Sequence, residues 1–179
     1  MPDAQRLVID AMVNRFRAQK GTAEKAIVQL DDARIRQPLD KNTNSVAVIM
    51  KHMAGNLRSR FSDFPHGDGE KPDRDRDREF IDDFPDRAAI LAHWEKGWTC
   101  LLEALEPLTD ADLGKTTTIR GQPHSIMEAL ARAMDHQAYH VGQIVQLARF
   151  LAKDKWSTIT ISRGGSGQFN QAMREQFGK

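Results

Sequence analysis

Apolar residues recur at steps of three and four along most of the chain, and that period admits few folds other than packed helices. Leu7, Val8, Met12, Phe16, Ala23, Ala26, Ile27 and Leu30 mark one face of a first helix, with Gly21 as its expected weak point. Val46, Ile49, Met50, Met53, Leu57 and Phe61 mark a second, from about Ser45 to Phe61. A third is expected to begin near Pro85, a residue favoured in a first helical turn, and to stop by Pro107. Its face carries Leu91, Trp98, Leu102 and Leu105, with Trp94 beside it. The fourth has the clearest start, because Ser125 followed by Glu128 forms a capping box. Its stripe is Ile126, Leu130, Ala133, His140, Ile144, Leu147 and Leu151, widened by Met127, Met134, Val141 and Val145. Four such helices predict an all-α fold, an antiparallel four-helix bundle.

The segments between these helices are polar. Asp31 to Asn44 contains Pro38 and reads as a connection with a short helical turn. Ser62 to Asp83 holds Pro65, Gly67, Gly69, Pro72 and the run RDRDRE, and reads as a long loop. Loops of that length in a compact domain are functional or disordered. Lys115 to Arg120 (KTTTIR) leads into Gly121 and predicts a small β element before the fourth helix. The tail from Trp156 carries Gly-Gly-Ser-Gly at 164 to 167 and a last short helix near Gln171. With no internal repeat and no linker, residues 1–179 form one expected domain.

Composition narrows the class of protein. Lys and Arg number 26 against 25 Asp and Glu, a net charge of +1, which argues against a strongly basic nucleic-acid binder. The single cysteine, Cys100, excludes an intrachain disulfide and a cysteine-based zinc knuckle. In a helix, with no base adjacent in sequence, it reads as a small buried apolar residue. Apolar runs such as Val46 to Met50 fall far short of the ~20 residues of a membrane span. The opening MPDAQRLVID has acids where a signal peptide carries basic residues, so the expected setting is the cytoplasm.

Three of the six histidines carry the chemistry. His136 and His140 are four apart on the fourth helix, which puts both imidazoles on one face, one turn apart, where they can chelate one ion. His52, at the edge of the second helix's buried face, is the natural third donor. Three neutral imidazoles plus water make an open site suited to zinc, nickel or ferrous iron. The competing reading is three packed core histidines with no metal. A metalloprotease is excluded, because its pattern needs Glu after the first histidine and His136 is followed by Gln137. His66, His93 and His124 are assigned no function. Arg163 to Gly167 matches no phosphate-loop or dinucleotide pattern and reads as a turn.

The segments NSVAVIMKHMAGNLRSRF, DGEKPDRDRDREF and DHQAYHVGQI, with the tail WSTITISRGGSGQFN, resemble the DinB superfamily, and within it the YfiT-like branch. The resemblance spans roughly Ala23 to Asn170. It implies a four-helix bundle and a divalent metal, zinc or nickel with iron as a further option. The ligands would be one histidine of the second helix and the His-x-x-x-His pair of the fourth, which match His52, His136 and His140. It also implies a homodimer, no nucleic-acid partner and, for members with known activity, thiol S-transfer with low-molecular-weight thiols or maleylpyruvate isomerisation. The expected function is therefore a metal-dependent enzyme that activates a thiol or water for transfer to, or hydrolysis of, a small electrophile. The alternative is a non-catalytic metal-binding or dimerising bundle. No catalytic or thiol-binding residue is assigned.

Spacing adds two candidates for orienting a ligand or a bound water. Asn56 lies four residues after His52 and Gln143 three after His140. Asp135 and Tyr139 flank the pair but point to other faces. Arg74, Arg76 and Arg78 alternate with aspartates, so an extended chain would put three guanidiniums on one side. From His66 to Asp83, however, eight acids outnumber four bases. The segment is either a solvated or internally salt-bridged loop, or a rim of the metal pocket or of a dimer contact.

Overall fold

The computed structural model describes residues 4–178. They are mostly helical: six α-helices, a few 3₁₀ turns and one two-stranded sheet. Helix α1 (Leu7–Ile27) runs unbroken through Gly21, since the burial of Phe16, Ala23, Ala26 and Ile27 on either side outweighs the propensity cost of one glycine. Helix α2 (Asp32–Ile35) is a single turn, started by Asp31 accepting from the Arg34 amide at 2.8 Å. Helix α3 (Val46–Phe61) starts at Ser45, whose hydroxyl accepts from the Val48 amide. These oxygens satisfy amides that a first helical turn leaves unpaired.

Helix α4 (Arg87–Leu105) begins two residues after Pro85, because Asp86 caps it by accepting from the Ala89 amide at 2.8 Å. Its buried face also differs from the expected one. Ile90, Trp94, Trp98, Leu101 and Leu105 are buried, whereas Leu91 is 36% exposed. The two tryptophans pack edge to face, centroids 5.4 Å apart, and their large area sets the rotation of the helix. Strands β1 (Thr116–Ile119) and β2 (Gln122–Ser125) form an antiparallel hairpin. Its turn is Arg120-Gly121 with φ of 55° and 73°, the left-handed pair that matches strand twist. Helix α5 (Ile126–Ala152) follows directly, with the Ser125–Glu128 capping box formed in both directions. Met127, in its first turn, points outward at 41% exposure and does not widen the stripe.

Helix α3 packs on α4 and α1 on α5, while α3 also meets α5 and α1 meets α4. One core joins Phe16, Met53, Leu57, Trp94, Trp98, Leu130 and Ile144 among others. At the α3–α4 contact Gly97 permits close approach: a Cβ there would lie 2.6 Å from Ala54 Cα. Helix α6 (Ser166–Phe177) buries none of its residues. None of the described helices is long and apolar enough to cross a membrane.

The polar segment between α3 and α4 is stitched down. The Gly69 amide donates to Thr118 O at 2.9 Å, and Asp68 accepts from the amides of Arg120 and Gly121 at 2.8 and 2.7 Å. Lys51 donates to Ile81 O at 2.9 Å, and Arg36 pairs with Asp82 at 2.6 Å. A 3₁₀ turn, Asp77–Phe80, is thereby laid against α3, with Glu79 buried.

Candidate metal centre

Helix α3 carries His52 into the interior, 4% exposed, and α5 brings His136 and His140 up beside it. One ring nitrogen from each of the three lies within 4.8 Å of the others, close enough to hold a metal ion. The ring centroids stand 4.6 to 5.2 Å apart, with each pair edge-on. His52 Nε2 and His136 Nε2 face one another at 3.2 Å.

The outer nitrogens have partners of their own. His52 Nδ1 lies 2.9 Å from Glu79 Oε2, and His140 Nδ1 lies 2.8 Å from Gln143 Oε1. Both partners accept, so both Nδ1 atoms carry the proton and both Nε2 atoms present lone pairs. Gln137 Nε2 sits 3.3 Å from His136 Nδ1 while Gln137 Oε1, fully buried, has no partner. As placed, that amide donates to Nδ1 and leaves the proton of neutral His136 on Nε2. That proton bridges the two Nε2 atoms at 3.2 Å, and an ion that displaced it would meet a lone pair from each ring. The His52–His136 spacing matches one edge of a tetrahedron around zinc, which is about 3.3 Å for nitrogens at 2.0–2.1 Å.

Electrostatics favour neutral His136 and His140. Burial, followed by the neighbouring His140 and His52, depresses His136 to about 3, and burial lowers His140 as well. Glu79 stays ionised: burial pushes its carboxyl up, but the bonds from His52 and Arg74 and the charge of Arg74 hold it below its ordinary value. Arg74 grips it as a fork, Nε to Oε1 at 2.8 Å and Nη2 to Oε2 at 2.9 Å. Room for that carboxylate comes from Gly55, where a Cβ would lie 2.4 Å from Oε1. Phe80 stacks on the His52 ring at 4.7 Å.

A cavity of about 150 Å³ adjoins the histidines and touches His52 and His136. Asn56 lines it beside His52 instead of bonding an imidazole, whereas Gln143 holds His140. Tyr139, 65% exposed, touches His140 only by its ring edge, and Asp135 is exposed. The three loop arginines do not share one side. Arg74 is inward, Arg76 lies over the Phe80 ring at the cavity, and Arg78 turns out to Asp83 at 3.1 Å. The 3₁₀ turn starting at Asp77 breaks the extended alternation that would have aligned them.

His93 packs against Phe84 with Nε2 3.3 Å from Lys51 O, His66 is exposed, and His124 lies in β2. None joins the cluster. Cys100 is half-buried and burial pushes its thiol up, as suits a packing residue. Sequence reading misses Glu79 and Gln137 as partners of the histidines. The available signal was Gly55, a glycine inside a buried helix three residues after His52, which marks a close neighbour.

A family model described as "Protein of unknown function (DUF1572)" matches residues 3–165. No curated protein and no solved structure matches the chain.

Proposed function

Starting from a chain that belongs to the DUF1572 family, a DinB/YfiT-like helical family, we propose that His52, His136 and His140 hold one divalent metal ion that serves a reaction. The observation that carries this reading is the convergence of one ring nitrogen from each of three histidines within 4.8 Å, with their outer nitrogens already engaged. Three imidazoles suit zinc or nickel first and iron next. The ring of contacts among α1, α3, α4 and α5 supports the antiparallel four-helix bundle of the YfiT-like branch. So does the cavity, whose lining runs forward along α3 from His52 to Phe61 and backward along α5 from His136 to Ala129.

When bound, the ion supplies a position at which a thiol or a water is held deprotonated, for transfer to or hydrolysis of a small electrophile. The chain's own residues do the rest. Glu79 fixes the His52 tautomer and raises the basicity of Nε2, and Arg74 keeps Glu79 ionised and aimed. Gln143 and Gln137 orient His140 and His136. Phe80 covers one face of the His52 ring. A reaction is favoured over a structural ion because only three donors converge among the described residues, whereas structural sites are closed by four. The cavity leaves space for a reactant on that side. The same reading takes a low-molecular-weight thiol as the natural co-reactant and a homodimer as the working form.

The test is metal content of tag-free protein by mass spectrometry, beside His52→Ala and His136→Ala. Near-stoichiometric zinc, nickel or iron that falls in both variants is the expected result, with thiol-transfer or hydrolytic activity lost in parallel. Protein that stays metal-free after reconstitution with each ion overturns the reading.

A further inference from the structure

The cavity beside the histidines carries more positive charge than its acids neutralise. Arg60, Arg74, Arg76, Arg120 and Arg132 line it, and no carboxylate does. Behind the wall, Glu70 is shared by three of them: Arg120 at 3.0 Å, Arg74 at 3.3 Å and Arg60 at 3.4 Å. Glu79 is committed to Arg74 and His52, and Asp68 to the amides of Arg120 and Gly121. Among the described residues, Arg76 and Arg132 have no carboxylate within 4.0 Å. Five guanidiniums thus face three carboxylates before any metal ion is counted.

We propose that this cavity binds the oxyanion of a small organic acid, a carboxylate or a phosphate, with Arg76 and Arg132 as its receptors. The inference rests on the metal reading for the acid's role as substrate, but not for its binding, which the arginines supply with or without an ion. Guanidinium forks match carboxylate and phosphate geometry. Arg132 lies one turn before His136 on α5, about 6 Å along the helix, so an acid a few atoms long reaches from the arginine to the histidines. Phe61, Phe64 and Ile119 form an apolar wall for its carbon body. A cavity of about 150 Å³ is of the size that holds benzene in an engineered protein, which suits a small acid.

Calorimetric titration of metal-free and metal-loaded protein with succinate, inorganic phosphate and the neutral succinamide tests this. An anion binding at least tenfold more tightly than succinamide is expected, and the tighter of succinate and phosphate names the group. Arg132→Gln and Arg76→Gln are each expected to weaken the anion by about tenfold. Arg132→Lys recovers part of the loss, and Arg78→Gln, which faces Asp83 outside the cavity, changes nothing. Equal affinity for succinate and succinamide, or anion binding indifferent to both Gln variants, overturns the proposal. His140→Ala separates the two readings, because His140 is in the cluster but not in the cavity wall. Anion binding retained in a protein that never takes up metal fails the metal reading alone. Anion discrimination absent from fully metal-loaded protein fails this proposal alone.

Discussion

Glu79 reaches His52 only because position 55 has no side chain. A Cβ on Gly55 would stand 2.4 Å from Glu79 Oε1 and 2.8 Å from Cδ. Stepping aside would cost the carboxylate its bonds to Arg74, which holds both oxygens, and to His52, which holds one. Glycine inside a helix costs about 1 kcal/mol relative to alanine. Here it lets a loop carboxylate dock against α3 and fix the histidine's tautomer.

Glu79→Gln keeps the shape and removes the charge that orients His52. Groups in this position are worth about 10- to 100-fold in metal affinity. Competition with a chromophoric chelator is expected to show a loss in that range for Glu79→Gln, and a loss in the same direction for Gly55→Ala. Affinity unchanged in both variants would mean that Glu79 has no hold on the metal.

An ion that binds only the folded chain stabilises it by mass action, about 2.7 kcal/mol at a free concentration 100 times Kd. For a domain of this size each kcal/mol moves Tm by about 2–4 °C, so chelation is expected to lower Tm by roughly 5–11 °C. His136→Ala should show no such drop, because it has already lost a donor. Melting curves with and without chelator decide it, and equal drops in the two proteins would place the ion elsewhere.

Much of this architecture is legible from the residues alone, for identifiable reasons. The α5 start follows from Ser125 and Glu128, and the His136–His140 pair from helical spacing, because both are local. The rotation of α4 is not local. Leu91 and Leu102 match the stripe as well as Ile90 and Leu101 do, and the packing of Trp94 on Trp98 decides between them. The loop is harder still. Its acids and arginines read as a solvated or internally salt-bridged run, and the pairs Arg74–Glu79 and Arg78–Asp83 are internal, but which of them meets α3 and the hairpin depends on distances the sequence does not encode as a period. Gln137 reads only as a residue that excludes a protease, yet it is fully buried beside His136.

Asp68 ties that loop to the hairpin and gives the fold an acid-sensitive element. The amides of Gly121, Glu70 and Arg120 bond its carboxylate and lower it from an ordinary value of 3.8 to about 2. A depressed carboxyl contributes stability that is complete above the unfolded value and is lost as pH falls through the folded one. Asp68→Asn is therefore expected to be less stable than the parent at pH 5, with the gap closing between about pH 4 and pH 2. Urea midpoints of both proteins across that range test it. A gap that is constant with pH would show that the charge of Asp68 contributes nothing.

Gly97 is the second glycine whose missing side chain decides a contact, and here the neighbour is a backbone. A Cβ would lie 2.6 Å from Ala54 Cα, 2.8 Å from Ala54 Cβ and 2.9 Å from Ala54 O. Gly97→Ala must push α4 away from α3, and overpacking of this kind costs about 1–3 kcal/mol. Ala54→Gly removes only one of those three obstructions, so the double variant should regain part of the loss and not all of it. Metal stoichiometry is expected to hold in Gly97→Ala, because the histidines sit on α3 and α5, away from the strained face. Denaturant unfolding of the four proteins, with metal analysis of each, separates the effects. Full rescue by Ala54→Gly would show that the backbone already has room, and loss of metal would show that the α3–α4 contact sets the position of His52.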